Sequence, residues 1–522
     1  MNRTRLALFL FFQALYALTS SGNVFRLPDE FEVYFQVERL IDAGDLSVPQ
    51  ALEITQGSSS VFFGRIGIDG KPYAPYGPLV AVLAVPHHLL GRGLAAVMGI
   101  GRVPRAQGLA WLIFVGGVTM LAAATAAALT VAGFHRAVIA LGTPAPMALG
   151  LSIVLGGATV LWPYGTSFFS EAFLAAAFIW AAVMLIEARR AQHPSRRIVL
   201  AAALIIIAGL TKVTSLIMAP AFVAAVLAET RISWTQRTRV ALALGGAIGV
   251  AAAMQLGWNA YRFGSPFEFG YDWTETIPVM PARAFSVAEL PRGIAVLLFA
   301  PGKSLLLWAP ILLVSLLNAA DTWRRDRGLA AGALTAFALG VLVYGAYLFP
   351  EGGYAHGPRH VVPIVPLLAL LAAAPDLRTH SRTVLRVGAV IGVVLAVTAT
   401  RVSYLEDQAL RRDRMGRPVP NYYEVIDPAP GRASNRYRFG HIPFVTAMSS
   451  NGWSESPVPG LGPDYFFRHL RQARLQLRDG MAIPEPLTWI WPATWTLLAF
   501  GAAAFLVRQY GEMTEPARAE FV

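Results

Sequence analysis

The residues best suited to chemistry begin with an acidic pair, Asp29-Glu30, just beyond the first apolar segment. Glu171 lies between two later apolar segments, and Lys303, His356, Arg359 and His360 occupy other short interruptions. A carboxylate at a membrane surface suits a general base, and cations near it suit an anionic group. Charges gathered in this way point to a membrane enzyme rather than a passive anchor.

Composition sets the class that must position them. The 522 residues are 55% hydrophobic and 14% charged, with a mean hydropathy of +0.51, which marks a multi-spanning membrane protein. The net charge of +12 does not point to nucleic acid, because the arginines fall in short runs beside apolar segments, where they fix orientation. With no cysteine, disulfides, thiolate metal sites and cysteine nucleophiles are excluded.

Leu6 to about Ser20 follows Asn2-Arg3-Thr4-Arg5 and reads as a retained first helix with a cytoplasmic N-terminus, since no convincing small-x-small cleavage site follows. Further spans are expected at 107–132, 143–163, 168–188, 239–258, 304–319, 328–348, 360–375, 383–401 and 487–507. Residues 198–228, interrupted at Gly209-Leu210-Thr211-Lys212, read as a hairpin of two short helices. The expected fold is thus an all-α polytopic membrane protein of about twelve helices, with juxtamembrane helices and a small loop domain on the extracytoplasmic side.

The apolar stretch 79–90 decides the topology. It is short and broken by Pro86-His87-His88, which favours a segment at the interface or one that dips in and returns. Only then do the clusters Arg189-Arg190-Arg196-Arg197, Arg231-Arg237-Arg239, Arg324-Arg325-Arg327 and Arg378-Arg382-Arg386 all face the cytoplasm. Arg92, Arg102 and Arg105 remain as exceptions on the outside. Residues 1–401 then form the membrane domain, including an extracytoplasmic loop 21–106; 402–486 form an outer loop domain, and 487–522 a last helix with a cytoplasmic tail.

From Pro28, Phe31, Tyr34, Phe35, Val37, Leu40 and Ile41 recur at helical spacing, as in an amphipathic helix lying on the membrane. Asp29 is then either a base or an N-cap, with Glu32 completing a capping box. Asp69-Gly70-Lys71-Pro72-Tyr73 and Tyr76-Gly77-Pro78 read as turns that offer a cation and two aromatics. Trp162-Pro163-Tyr164 precedes Glu171, which sits where a helix start and its dipole would also accommodate a carboxylate. Arg262-Phe263-Gly264-Ser265-Pro266-Phe267-Glu268-Phe269-Gly270, Pro301-Gly302-Lys303-Ser304 and His356-Gly357-Pro358-Arg359-His360 place glycines beside cations, as phosphate contacts require. Snorkelling at helix ends is the alternative for Lys303 and Arg359, and an interfacial belt for the aromatics. No nucleotide-binding P-loop spacing occurs.

In this order the motifs resemble the GT-C superfamily of membrane glycosyltransferases, closest to bacterial relatives of the protein mannosyltransferases and lipid A aminoarabinose transferases. The likeness covers residues 1 to about 375. It implies a polyprenyl-phosphate sugar donor, inverting displacement and an extracytoplasmic active site in the plasma (inner) membrane. By that likeness Asp29 is the catalytic acidic residue of the first loop, with Glu30 beside it. Glu171 matches a second-loop acidic position that is a metal ligand in the oligosaccharyltransferase branch. Phe-Ser-Glu replaces a paired-acid motif there, which puts a metal in doubt: a divalent ion is possible but not favoured, and no cofactor is certain. Lys303 and Arg359 are matched to the donor phosphate.

The chemistry agrees with this set. Displacement at an anomeric carbon needs a base for the acceptor hydroxyl and positive charge for the departing phosphate. Asp29 supplies the first, and Lys303 and Arg359, with Arg262 or His356, the second. Lys71, Tyr73, Tyr76 and His360 complete the expected substrate-binding set. The acceptor is a lipid, a glycan or a protein. Another lipid-linked transferase or ligase, a transporter and a structural partner are the rival classes; a transporter would show repeated halves and charges at mid-membrane, neither of which is evident.

Overall fold

The computed structural model describes residues 3–24, 27–55, 64–101, 108–270, 285–347, 349–350, 352, 355–375, 377–401, 465–467, 470 and 485–519. Nearly all regular structure is helical. The chain opens with α1 (Arg3–Thr19), α2 (Pro28–Ala43) and α3 (Pro49–Thr55), then a two-residue antiparallel pair, β1 (Arg65–Ile66) with β2 (Pro72–Tyr73), in which Arg65 faces Tyr73. Helices α4 (Leu79–Val97), α5 (Gly108–Ala140), α6 (Ala145–Gly157), α7 (Leu161–Gly165), α8 (Glu171–Ala188), α9 (Ser195–Thr211), α10 (Pro220–Leu227) and α11 (Trp234–Phe263) follow. The bundle closes with α12 (Leu290–Phe299), α13 (Leu305–Trp308), α14 (Ile311–Arg325), α15 (Arg327–Gly345), α16 (Val365–Ala369), α17 (Thr379–Arg401) and α18 (Glu485–Ala519).

Among the described residues seven helices are long and apolar enough to cross a membrane: α4, α5, α8, α11, α15, α17 and α18. The other expected spans are shorter there: α1 and α9 have 17 residues each, and prolines divide several of the rest. Pro144 and Pro163 confine the expected 143–163 span to the short α6 and α7. Pro301 and Pro310 divide the 304–319 region into α13 and α14, and Pro363 and Pro366 turn 359–372 into alternating 3-10 and α-helical segments. The 198–228 region is a hairpin, with α9 rising to Thr211 and α10 returning. Hydroxyls within the bundle are satisfied locally, as when Thr119, Thr125 and Thr130 each donate to the carbonyl four residues back. Large apolar side chains such as Leu242, Val390, Leu497 and Phe500 cover the outside, as a lipid-facing surface does.

Two ends of the bundle can be distinguished. Helix α8 carries Glu171 at its first residue and Arg189 at its C-cap. Arg189 bonds Glu229 at 3.0 Å and Asp326 at 2.6 Å; Arg231 also bonds Asp326 at 3.1 Å and the Arg325 carbonyl at 2.8 Å. Arg325 in turn caps the Ala373 carbonyl, and Arg378 bonds Asp321 at 2.7 Å. The four arginine clusters therefore meet at one end, opposite Glu171. Asp326 also caps α15 by accepting from the Leu329 N–H; burial opposes its ionisation, but Arg189 and Arg231 outweigh that and hold its carboxyl below the usual range.

Helix α4 meets the length criterion for a span, yet both its ends lie at the Glu171 end. Gly77, just before it, touches the Leu210 carbonyl at the α9 tip so closely that a Cβ would collide. Further along, Gly91 packs on Val115 and Val118 early in α5, and Arg92 bonds Asp42 of α2 at 2.6 Å. Early α5 is itself at that end, since Gly116 touches Val24 beyond α1, whereas Arg5 at the start of α1 lies in the field of Arg136 and Glu187. The helix thus returns the chain to the side on which it began. Arg102 and Arg105 lie outside the described residues, as does most of 402–486. Of that loop, Phe466 is described: its N–H bonds the Ser20 carbonyl at 2.8 Å and its ring meets Trp491 edge-on.

Single cysteines introduced into this cysteine-free chain test the arrangement. A cysteine at Gly101 is expected to react with an impermeant maleimide from the same side as one at Glu268 and from the opposite side to one at Ala191. Co-labelling of the Gly101 and Ala191 positions would overturn it.

Candidate active site

Helix α2 forms where expected, but it is not a surface helix: Glu30, Glu32, Gln36 and Glu38 on its polar side are buried along with Phe31, Tyr34 and Phe35. Its N-cap is Leu27, in extended conformation with Pro28 following, and no side chain caps it. The capping box proposed for Asp29 and Glu32 is therefore absent. Pro28 pre-sets the first helical φ and removes a donor that would have gone unpaired, which leaves Asp29 free for other partners.

Asp29 Oδ1 accepts from Arg359 Nη2 at 2.6 Å, and Glu171 Oε1 accepts from Arg359 Nε at 3.1 Å. Lys212 Nζ donates to the same Glu171 oxygen at 2.7 Å. Two carboxylates and two cations from four distant segments thus form one cluster. Each segment is held by local structure. Glu30 Oε1 takes the Phe168 N–H at 2.9 Å, fastening the strand of chain before Glu171 to the start of α2. Lys212 leaves the last turn of α9 in extended conformation, which carries it out from the hairpin tip. Gly352, at φ +74°, lies so close to Arg359 that a side chain there would collide with it, and Phe169 presents its ring 4.0 Å below the guanidinium. The side chains of Asp29 and Lys212 are 19% and 23% exposed against 1% for Glu171, so an incoming ligand meets Asp29 and Lys212 first.

The other expected residues fall into two groups. Lys303 is buried with its Nζ on the Ala355 carbonyl at 2.5 Å, and it lies within electrostatic reach of His360. His356 is buried on Trp308, and its carbonyl accepts from Tyr164 at 3.1 Å. His360 stacks on Tyr344 at 4.6 Å, and both its ring nitrogens are shielded from solvent without a hydrogen-bond partner. His360 lies in the field of Lys212, Arg359 and Glu171. Lys71 and Tyr73 do not join the cluster: they bond Asp45 and Asp69 near the far end of α2, about 21 Å along the helix from Asp29. Burial opposes ionisation of Asp45, yet Arg39, Ser47 and Lys71 outweigh it and hold its carboxyl well below the ordinary range. Tyr76 packs against the core.

Arg262 is also apart from the cluster. It is buried between Trp258 and Phe263, bonds the Ala74 carbonyl and Asn259 Oδ1, and its own carbonyl receives the Ile68 N–H at 2.9 Å. Its bonds tie α11 to the β1–β2 turn. Lys212 is the cluster member absent from the expected set. A lone lysine inside an apolar run was the available signal, because such a charge is retained only where it has a partner.

No family model matches this sequence, and no curated protein matches it. Among solved structures the chain is similar to an archaeal oligosaccharyltransferase, AglB from Archaeoglobus fulgidus, in complex with an inhibitory peptide and a dolichol-phosphate. The TM-score is 0.46 and the identity 14%, over 82% of this chain and 60% of that one.

The difference between Arg262 and the cluster cations is testable. Arg262→Ala is expected to lower stability by roughly 2–4 kcal/mol, through lost hydrogen bonds and packing. Thermal unfolding in detergent measures it, and an unchanged midpoint would contradict the structural role.

Proposed function

We propose that this protein is a membrane glycosyltransferase that moves a sugar from a polyprenyl-phosphate donor to an acceptor hydroxyl. The observation that carries the reading is the pairing of a partly open carboxylate, Asp29, with Arg359 and Lys212 at one end of an apolar bundle. A donor held by its lipid tail brings its phosphate to that end, where the two cations, with Lys303 and His360 behind them, receive it. Asp29 takes the proton from the acceptor hydroxyl as its oxygen bonds the anomeric carbon and the bond from that carbon to the phosphate oxygen breaks, which inverts the centre. Arg359 and Lys212 neutralise the phosphate in the bound donor and continue to do so as it leaves. A phosphate leaves without protonation, so no general acid is required.

The side of the membrane follows from charge. The arginine network occupies the end opposite Asp29, and positive residues favour the cytoplasm, which supports an extracytoplasmic active site. No cofactor enters the proposed reaction.

Purified protein incubated with a panel of polyprenyl-phosphate sugars is expected to release polyprenyl phosphate from at least one of them. Release from none by folded protein would contradict the proposal. With the donor found, Lys212→Ala and Lys303→Ala are each expected to raise the half-saturating donor concentration roughly tenfold and to change kcat less, because a phosphate contact exists in ground and transition states alike. A lowered kcat at unchanged donor affinity would overturn the phosphate assignment.

A further inference from the structure

Two carboxylates facing each other at a transferase site invite a divalent cation, and the cluster can be tested for its fit to one. A hard divalent ion takes about six oxygen ligands. No group of three or more acidic, histidine or cysteine side chains suited to a metal occurs among the described residues. One oxygen of each carboxylate is already engaged by cations: Asp29 Oδ1 by Arg359 Nη2 at 2.6 Å, and Glu171 Oε1 by both Arg359 Nε at 3.1 Å and Lys212 Nζ at 2.7 Å. An incoming ion would also face repulsion from a guanidinium and an ammonium, with little solvent to screen it. The donor set does not fit a metal.

We propose that the Arg359 guanidinium is a built-in cation standing between Asp29 and Glu171 where a divalent ion would otherwise bridge them, with Lys212 positioning Glu171 to keep it there. Several features of the cluster agree with this role. The guanidinium is planar and permanently charged, and it meets the two carboxylates through different nitrogens, as one point charge at the end of a lysine does not. Its remaining N–H groups can be offered to a phosphate oxygen, the task a metal performs in other phosphate chemistry. The Phe169 ring lies on one face of the guanidinium, and Gly352 crowds the aliphatic stem that carries it. Toward Arg359, Lys212 acts only by positioning, because its bond is to Glu171 and its effect on the guanidinium passes through that carboxylate; its proposed contact with the donor phosphate is separate.

The inference concerns the carboxylate pair of the site proposed above, and its test needs no sugar donor. Purified wild-type protein is titrated with Mn²⁺ and the free ion followed by electron paramagnetic resonance, alongside Asp29→Asn, Arg359→Ala and the double variant Arg359→Ala/Asp29→Asn. Wild type is expected to show no site that Asp29→Asn removes. Emptying the gap is expected to create one, with Arg359→Ala binding Mn²⁺ roughly tenfold or more tightly than wild type, and the double variant losing that gain. A wild-type Mn²⁺ site abolished by Asp29→Asn would overturn the proposal, as would folded Arg359→Ala that gains no site. Should Arg359→Ala not fold, the wild-type and Asp29→Asn titrations still decide. A donor assay adds an independent arm: wild-type transfer is expected to be unchanged in EDTA, and loss of transfer restored by Mn²⁺ would likewise overturn it. Failure of every donor in that arm would count against the transferase reading alone, since the Mn²⁺ titrations stand without it.

Discussion

The structure depends on the guanidinium of Arg359 lying between Asp29 and Glu171, residues 330 and 188 positions away in sequence. Charges of this kind at the end of an apolar bundle are tolerated only as a set. Removing one partner of a buried pair strands the other, at roughly 3–5 kcal/mol. Much of the neighbouring structure keeps the set complete. Glu30 fastens the chain before Glu171, the α9–α10 hairpin delivers Lys212, and Gly352 leaves room for Arg359. Fold and site are therefore one problem here, because the same contacts that close the bundle also aim the reactive groups.

A second constraint orders the molecule from the other end. The arginines at the ends of α8, α10, α14 and α16 or just beyond them bond to acidic residues and carbonyls there, joining loops distant in sequence. That network leaves the opposite end to the carboxylate cluster. Helix α4 illustrates how length alone misleads: it is long and apolar enough to cross, yet its neighbours hold both its ends beside the cluster. Its exposed face, with Val82, Leu83, Leu89, Leu90 and Leu94, fits apolar surroundings without a full crossing.

Much of this was legible in the sequence, for reasons that differ by residue. Asp29, Glu171 and Arg359 stood out because a charge beside an apolar run is retained only for a partner or a purpose. The hairpin at 198–228 was legible from excess length and a break. What escaped was partnership across the chain. Lys212 marked only an interruption until α8 packed against α9 and set Glu171 before it. Arg262 and Lys71, beside glycines, had the local look of phosphate contacts, but their partners are the Ala74 carbonyl and Asp45. The periodicity of α2 reported its apolar side correctly and said nothing of what would cover the other side. The breaks within expected spans were written in the prolines, which hydropathy averages over.

The central claim is that Asp29 acts as the base and not merely as a partner for Arg359. Asparagine keeps the shape of the side chain and cannot accept the proton, and Asp29 caps no helix whose loss would confuse the result. The decisive measurement is the single-turnover rate of Asp29→Asn with donor bound, beside its donor affinity. The account predicts a rate lower by roughly 10²–10⁴-fold, with donor affinity retained or increased because the guanidinium is released to the phosphate. Wild-type turnover by Asp29→Asn would contradict it.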